Sequence, residues 1–367
     1  MTTSIEPMSA GDLDGSPEVE SLLARLGLGS LSSQPDVRKL PGRNTNWIGT
    51  TDMGRGVFVK RLAGPSEMTA ARIRQCLAFD RMLRNGGPSG LLSPHCLGAD
   101  AEAHLLVYEA VPGAKTAAEL VREDELGDDL MYSVGRTVGL LHNLPSEELP
   151  QGAETTPLLP SAELLDGIPI SLFEASSAAE LQVWSVMQND LPLAGALRRL
   201  LEEEQRAGLV AAHCDLRLDQ FLVADGRVHL TDLEEFQAGD PARDIGGVIG
   251  DLLHRALLAA VAQEDPYADE PVSHAQMVAR LTDGIRTVRP RIEIFWQGYL
   301  SERPGAGDVA GRVVAFAGWH LLDRLLAGAR NAPRLAAIPR AVAGIGRKAL
   351  LTPEAFISTL GLAEATR

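Results

Sequence analysis

The sequence predicts an α+β protein of two lobes, in which a small antiparallel sheet with one helix precedes a larger, mostly helical lobe. Short apolar runs separated by turns are typical of strands, and they fill residues 37–64 and recur at 105–109. Helical periodicity dominates after residue 114 and continues beyond residue 250 to the end of the chain. Because 367 residues exceed one typical folding unit, a two-lobed organisation fits the length.

Composition excludes several classes of protein. With 45% hydrophobic and 23% charged residues, the chain has the make-up of a globular protein, and its net charge of −15 argues against a nucleic-acid partner. The start of the chain lacks the features of a signal peptide, and no apolar run approaches the roughly 20 residues that span a bilayer. We therefore predict a cytoplasmic protein with no membrane partner. The scattered Cys76, Cys96 and Cys214 indicate neither a disulfide framework nor a zinc site.

The composition of residues 1–16 predicts a disordered tail. Residues 17–110 are predicted to form the N-lobe, which begins with a short helix at Pro17. A hairpin follows, and the loop that leads into it reads PGRNTNWIG. The backbone amides of such a loop can approach phosphate oxygens, although an ordinary hairpin turn also explains the pattern. This loop supplies three candidate nucleotide-binding residues, which are Gly42, Asn44 and Asn46.

Lys60 ends the returning strand of this hairpin, and a helix is predicted over residues 66–84. Asp80 falls on the apolar face of that helix, four residues after Cys76. Because a buried carboxylate needs a cation, we predict that Asp80 pairs with Lys60, with Glu67 as the alternative acid. A lysine held by an acid in this way orients the α- and β-phosphates of a nucleotide.

A short linker after the strand at 105–109 predicts a hinge at residues 111–113. Residues 114–367 are predicted to form the helical C-lobe. We expect the adenine edge of a nucleotide to bond the backbone near Glu109 and Val111. His142 lies near the end of a predicted helix over 128–144, and a structural, hydrogen-bonded histidine is favoured there over a metal or catalytic role.

Two carboxylates flank a predicted β-hairpin in the middle of the chain. Apolar runs at 221–223 and 228–230 enclose an Asp-Gly turn, with Asp215 before the first strand and Asp232 directly after the second. A hairpin returns both acids to the same end. With the amide of Gln220, these oxygens suit Mg²⁺ carrying a polyphosphate, so we predict a phosphoryl-transfer site that uses ATP and Mg²⁺.

Residues 213–220, hereafter the catalytic loop, supply most of the predicted catalytic groups. Asp215 is the expected base that accepts a hydroxyl proton, and His213 is expected to brace the loop. Gln220 is predicted to bind one Mg²⁺ through its side-chain oxygen, and Asp232 to bridge the metal to the phosphates. In the downstream GDPARDIGG segment, Asp240 and Asp244 are each expected either to cap the next helix or to bond the catalytic-loop backbone.

The motifs HCDLRLDQ, LTDLEE and GDPARDIG together resemble the aminoglycoside-phosphotransferase branch of the protein-kinase-like fold, from about residue 37 through the helices after 250. The usual pattern has Gly and Asn where this chain has Cys214 and Gln220. More narrowly, LPGRNTNWIGTT, GVFVKRL, LAFDRML and LRLDQFL are similar to the kinase subunits of class V lanthionine synthetases.

This narrower resemblance implies a bacterial enzyme of lanthipeptide biosynthesis that phosphorylates Ser or Thr of a ribosomally made precursor peptide. A separate lyase subunit would then eliminate phosphate to leave a dehydroamino acid, and the two subunits would form a complex. Two alternatives stay open. One is a small-molecule kinase of the aminoglycoside type, since fold does not determine substrate. The other is a pseudokinase scaffold that binds nucleotide or peptide and activates its partner.

Overall fold

A computed structural model describes residues 16–32, 34–145, 149, 159–262 and 273–363. Within these ranges the chain has a small lobe built on an antiparallel sheet and a larger lobe that is mostly helical, so the predicted two-lobed α+β fold is confirmed. The tail predicted over residues 1–16 lies outside the described residues, apart from Ser16.

The N-lobe consists of a five-stranded sheet in the order β1-β2-β3-β5-β4, with every neighbouring pair antiparallel. One helix precedes the sheet and a second joins its third and fourth strands. The elements are α1 (Pro17–Arg25), β1 (Arg38–Leu40), β2 (Thr45–Thr50), β3 (Gly56–Arg61), α2 (Ser66–Arg84), β4 (Cys96–Asp100) and β5 (Leu105–Glu109).

Alternation along β3 decides which face of the sheet Lys60 occupies. Val57 and Val59 are fully buried in a core that includes Leu22 and Leu23 of α1. Because successive side chains of a strand point to opposite faces, Lys60 lies on the other face, away from α1. The strand therefore places its lysine on the side of the sheet that meets the second lobe.

The C-lobe contains the remaining helices and two small antiparallel sheets, ordered β6-β8-β9 and β10-β7. Its helices are α3 (Ala117–Arg122), α4 (Asp128–Leu141), α5 (Ala162–Asp166), α6 (Ile170–Ala175), α7 (Ala178–Asn189), α8 (Leu191–Arg206), α9 (Pro241–Ala262), α10 (His274–Glu302), α11 (Ala310–Ala329), α12 (Ala337–Leu351) and α13 (Pro353–Leu360). Its strands are β6 (Lys115–Thr116), β7 (Val210–Ala212), β8 (Phe221–Ala224), β9 (Arg227–Leu230) and β10 (Gln237–Gly239).

One helix in the described part of the chain, α9, is long and apolar enough to cross a membrane. However, 56% of its apolar window is buried inside the protein, which is typical of a core helix in a globular fold. The helix packs against α10 and α11, and it carries Asp244 and Asp251 as buried carboxylates. Cytoplasmic location and the absence of a membrane partner stay predictions.

Helices α4 and α10 cross with their backbones in contact, and glycines on both helices make this possible. A methyl group added at Gly135 would lie 1.9 Å from the carbonyl oxygen of Phe295, and one added at Gly298 would lie 2.1 Å from that of Tyr132. Neither position has room for any side chain, because the obstructing atoms belong to rigid helical backbone.

We expect Gly135→Ala to lower the free energy of unfolding by about 1–3 kcal/mol or more, because the helices must separate to admit the methyl group. Chemical denaturation measures the effect. Gly344→Ala is the matched control, since a methyl group added at Gly344, within α12, would meet no neighbouring atom, and there helix propensity favours Ala by up to about 1 kcal/mol. Equal stabilities for the two variants would contradict this packing.

Candidate active site

The hairpin formed by β8 and β9 brings the two predicted acids to the same end of the hairpin. Its strands pair from Phe221 with Leu230 to Ala224 with Arg227, around a turn in which Asp225 and Gly226 both have positive φ. This is the turn geometry that an Asp-Gly pair predicts. Asp215 and Asp232 then lie close enough that the charge of Asp232 contributes to the raised pKa of Asp215.

Lys60 crosses from the N-lobe to meet two acids of the C-lobe. Its Nζ lies 2.5 Å from Oδ1 of Asp232 and 2.5 Å from Oε1 of Glu234, and its side chain is 10% exposed. Burial alone would lower the pKa of Lys60, but the two carboxylates raise it above its ordinary value. Burial would likewise raise the pKa of Asp232, yet the Lys60 ammonium lowers it to about 2. The lysine is therefore a fixed positive charge at the boundary between the lobes.

The prediction that Asp80 pairs with Lys60 is wrong. Oδ1 of Asp80 accepts a hydrogen bond of 3.1 Å from the backbone N–H of Cys96 and lies 3.2 Å from Nδ1 of His95, so Asp80 fixes the start of β4. Helical spacing placed Asp80 correctly on the inner face of α2, but that face contacts more than one neighbour. The alternative acid, Glu67, is exposed in the first turn of α2.

Instead, α2 contributes a cation and the acids follow Asp232 along the chain. Arg72 is 4% exposed, and its guanidinium lies 2.6 Å and 2.9 Å from Oε1 of Glu235 and 3.9 Å from Glu234. Glu234 and Glu235 belong to a single 3₁₀ turn after Asp232. Arg72, Glu234 and Lys60 therefore form a row of alternating charges. The sequence analysis did not predict this row. Arg72 lies on the buried stripe with Ile73 and Cys76, and that was the available signal.

Asn44, predicted to approach phosphate, holds this acidic turn. Its side-chain N–H donates to Oε1 of Glu234 over 2.8 Å, and its oxygen accepts from the N–H of Ala63. Asn46 lies directly opposite Lys60 in the β2–β3 pairing, and its buried side-chain oxygen has no partner among the described residues. A methyl group at Gly42 would make only ordinary contacts, the nearest at 3.5 Å to Asn46. Phosphate binding by this loop stays a prediction.

We expect Arg72→Met to lower the free energy of unfolding by about 3–5 kcal/mol, because it leaves Glu235, whose side chain is only 13% exposed, without its cation. The double variant with Glu235→Gln should recover a part of that loss, with a coupling energy of about 0.5–3 kcal/mol in denaturation experiments. Arg74→Met, an exposed position on the same helix, is the control. Strictly additive effects of the two substitutions would show that the pair does not contribute to stability.

Asp244 organises the catalytic loop from α9. Its fully buried carboxylate accepts hydrogen bonds from the backbone N–H groups of His213 (2.7 Å) and Cys214 (2.8 Å). Nε2 of His142 lies 3.1 Å from the same carboxylate, and its other ring nitrogen contacts Tyr299, so the structural interpretation of this histidine is confirmed. Of the two roles expected for Asp244, bonding the loop backbone is the observed one.

Contacts of two further residues hold the loop and the helix that follows it. Nε2 of His213 lies 2.9 Å from the carbonyl oxygen of Thr231, the residue before Asp232, so this histidine braces the loop against the end of the hairpin. Asp240 accepts a hydrogen bond from the N–H of Ala242 at the start of α9, and its carboxylate also forms an ion pair with Arg312. The loop is thus tied both to the second predicted acid and to α9.

Cys214 has φ of 65°, a left-handed backbone conformation that favours glycine. Its buried Sγ occupies the space beside Gly239, where a methyl group would lie 2.9 Å from the sulfur. Burial raises the pKa of the thiol to about 12. The residue therefore acts as a packed, protonated side chain at a position where the related motif has glycine.

The side-chain oxygen of Gln220 accepts a hydrogen bond from its own loop, and metal binding by this oxygen stays a prediction. Oε1 accepts a 2.7 Å hydrogen bond from the backbone N–H of Arg217, and the buried Nε2 has no partner among the described residues. The extra methylene of Gln lets the amide reach back to its own loop.

The oxygen donors of the site fit a hard divalent cation bound with a nucleotide. Asp232 offers a carboxylate beside Lys60, whereas the described residues contain no cluster of three or more His, Cys, Asp or Glu side chains placed to hold a metal. Magnesium is usually bound by one or two carboxylates together with substrate phosphates rather than by an all-protein cage. Asp232 is therefore the residue best suited to this task.

Asp215, the predicted base, has an accessible side chain on the catalytic loop. Its side chain is 39% exposed, and Oδ1 accepts a 2.8 Å hydrogen bond from Nη1 of Arg217. Burial raises the pKa of Asp215 above its ordinary value, while Arg217 and His213 oppose that rise. A carboxylate with a raised pKa is a better proton acceptor near neutral pH than an ordinary aspartate.

The nucleotide-binding residues predicted at the hinge lie where the two lobes join. Glu109 ends β5, and its N–H donates to the carbonyl oxygen of His95, so this donor is used within the sheet. The carbonyl oxygen of Val111 accepts from the N–H of Ala114, and Gly113 between them has positive φ. Adenine recognition at this segment stays a prediction.

Several kinases of known structure share the fold. An ethanolamine kinase from Plasmodium vivax has a TM-score of 0.57 at 13% identity, over 93% of this chain and 89% of that one. The choline kinase LicA from Streptococcus pneumoniae has a TM-score of 0.54 at 15% identity, over 92% and 98%. An amicoumacin kinase in complex with AMP-PNP, Ca²⁺ and Ami has a TM-score of 0.52 at 15% identity, over 92% of this chain and 96% of that one.

The sequence itself gives a family match that covers more than half of the chain. No curated protein matches it. Residues 36–275, however, match the phosphotransferase enzyme family, and this range contains Lys60, the catalytic loop and Asp232. The chain belongs to the phosphotransferase enzyme family.

Proposed function

We propose that the protein is an ATP-dependent kinase that phosphorylates Ser or Thr of a ribosomally synthesised precursor peptide. A separate lyase subunit would then eliminate the phosphate to form dehydroamino acids in lanthipeptide biosynthesis. The observation that supports the chemistry is the convergence of Lys60, Asp215 and Asp232 at the boundary between the lobes. The peptide substrate and the lyase rest on the resemblance of the N-lobe and catalytic-loop segments to lanthionine synthetase kinases.

The contacts of these residues indicate how each would serve the transfer. Lys60 would exchange its present acid partner Asp232 for the α- and β-phosphate oxygens of ATP, while Glu234 and Asn44 keep its ammonium in place. Asp232 would hold Mg²⁺, which when bound neutralises charge on the phosphate oxygens.

Asp215 would orient the acceptor hydroxyl and take its proton while the oxygen bonds to the γ-phosphorus. The bond from that phosphorus to the β-phosphate oxygen breaks in the same step, and ADP leaves. Because the transition state is loose, positioning by Asp215 matters more than its strength as a base. The hydrogen bonds that the loop N–H groups donate to Asp244 would supply that positioning.

Mass spectrometry of a candidate precursor peptide tests the proposal directly. A lanthipeptide precursor is incubated with the protein, ATP and Mg²⁺, with and without a lyase of the class V lanthionine synthetases. We expect a product heavier by one phosphoryl group without the lyase and a dehydrated peptide with it. An unmodified peptide in both reactions would overturn the peptide assignment.

The second candidate is a small-molecule kinase, which is favoured by the fold shared with choline, ethanolamine and amicoumacin kinases. A panel of aminoglycosides and amino alcohols, assayed with the same protein, ATP and Mg²⁺, distinguishes it. Rapid phosphorylation of one of these alcohols, together with an unmodified peptide, would establish this candidate in place of the first.

A further inference from the structure

A narrow cleft beside Asp215 contains charged side chains that the phosphoryl transfer does not use. It lies between the catalytic loop, α9 and α11, and its cavity volume is about 20 Å³, which admits one small group. The polar residues that line it are Asp215, Arg217, Arg243, His320, Asp323 and Arg324. Since Asp215 forms part of the wall, a group in this cleft lies next to the position of the acceptor hydroxyl.

Three nitrogen atoms of this lining are buried without a hydrogen-bond partner among the described residues. They are Nε of Arg243, Nε of Arg324 and Nε2 of His320. His320 is 7% exposed, and burial together with nearby Arg324 holds its pKa well below the ordinary value, so the ring is neutral. Unpaired buried donors are uncommon in native proteins, and a cluster of them beside a catalytic group indicates a site for oxygen atoms of a ligand.

The charges of the cleft favour an anion over a cation. Three guanidinium groups face it, against the carboxylates of Asp215 and Asp323, although the whole chain carries a net charge of −15. Arg217 pairs with Asp215 and Asp219, Arg243 pairs with Glu204, and Arg324 pairs with Asp323. A guanidinium has five donors, so these pairs leave N–H groups to bind further oxygens.

We propose that the cleft binds a carboxylate that stands next to the acceptor hydroxyl. This inference rests on the proposed peptide phosphorylation, and it assigns the substrate an Asp or Glu within about two residues of the modified Ser or Thr. A carboxylate matches the planar donor edge of arginine, and one of its oxygens can enter the cleft. The ammonium group of a choline-like or aminoglycoside substrate would meet the arginines instead, which disfavours cationic acceptors.

Matched serine peptides test the preference. One set carries Glu beside the serine, and the other sets carry Gln or Lys at that position with all else unchanged. Binding is measured by calorimetry with a non-hydrolysable ATP analogue and Mg²⁺, and phosphorylation by mass spectrometry with ATP. We expect the Glu peptide to bind about tenfold more tightly than the Gln peptide and the Lys peptide most weakly, with the effect in KM rather than kcat.

Arg324→Gln should remove the preference for Glu over Gln, since Arg324 supplies one of the unpaired donors. Arg330→Gln, at an exposed position just after α11, should keep it. Thermal melts of both variants show whether the fold is intact, and Arg243→Gln provides a second test of the cleft if Arg324→Gln unfolds.

The outcomes separate this inference from the proposed function. Equal binding of Glu and Gln peptides, with phosphorylation of both, would overturn the carboxylate site and leave the peptide kinase standing. Tighter binding of the Glu peptide without phosphorylation of any peptide would support the site and overturn the peptide kinase. Selective phosphorylation of Lys peptides or of cationic alcohols would overturn the carboxylate site.

Discussion

Replacement of Asp215 by Asn is expected to lower kcat by about 10²–10⁴-fold while ATP binding and the fold are retained. The amide keeps the size of the side chain but cannot accept the hydroxyl proton. Single-turnover phosphorylation followed by mass spectrometry measures the loss. Asp225→Asn, at the exposed turn of the β8–β9 hairpin, is the matched control, because Asn tolerates the left-handed backbone of that turn.

Stability and pH dependence show whether this loss is catalytic. Because the folded-state pKa of Asp215 is raised, its contribution to stability is lost as pH rises through that pKa. The Asn variant should therefore be at least as stable as the parent at neutral pH. In the parent, kcat/KM should fall as pH drops through a value above the ordinary aspartate pKa.

Full activity of the Asp215→Asn variant in the assembled system, with the lyase present, would instead establish the pseudokinase alternative. In that case the protein would act by binding nucleotide or peptide and by activating its partner. Loss of activity with partner binding intact would exclude this scaffold role.

Lys60→Met is expected to reduce both stability and activity. It leaves the Glu234 carboxylate, which is 5% exposed, without its principal cation, and loss of one partner of such a pair costs about 3–5 kcal/mol. Asp232 contributes less to this loss because its side chain is 35% exposed. We also expect kcat/KM for ATP to fall by about 10²–10³-fold, as for other lost electrostatic contacts to a reacting group.

Urea denaturation and initial rates at varied ATP concentration measure these two effects. Lys39→Met, at an exposed position of β1, is the control for losing a lysine from the same sheet. The depressed pKa of Asp232 means that its share of the ion-pair stability is present above about pH 4 and is lost as pH falls towards 2. A Lys60→Met variant as stable and as active as the Lys39→Met control would refute a role for Lys60 in the site.

Local patterns in the sequence predicted the parts of the site that depend on neighbouring residues. The Asp-Gly turn and the apolar runs beside it determine the β8–β9 hairpin, and the helix over residues 66–84 has the predicted bounds. The GDPARDIGG segment left two roles open for Asp244, and the bond to the loop backbone is the one observed. Each of these inferences needs only the chain within about 30 residues.

The errors concern contacts between distant segments. A helical periodicity identifies the inner face of α2, but it does not say which neighbour each inner residue meets, so Asp80 was assigned to Lys60 and Arg72 was overlooked. The contact between Asn44 and Glu234 joins residues 190 positions apart, and it depends on how the lobes dock.

The buried sulfur of Cys214 has a consequence for chemical labelling. A cysteine adjacent to a catalytic carboxylate would ordinarily be an obvious target for alkylating inhibitors. Here the thiol is protonated, with a pKa of about 12, and is enclosed beside Gly239. Because the thiolate is the reactive form, iodoacetamide should leave the folded enzyme uninhibited, and covalent inhibitors of this protein must be designed around a different nucleophile.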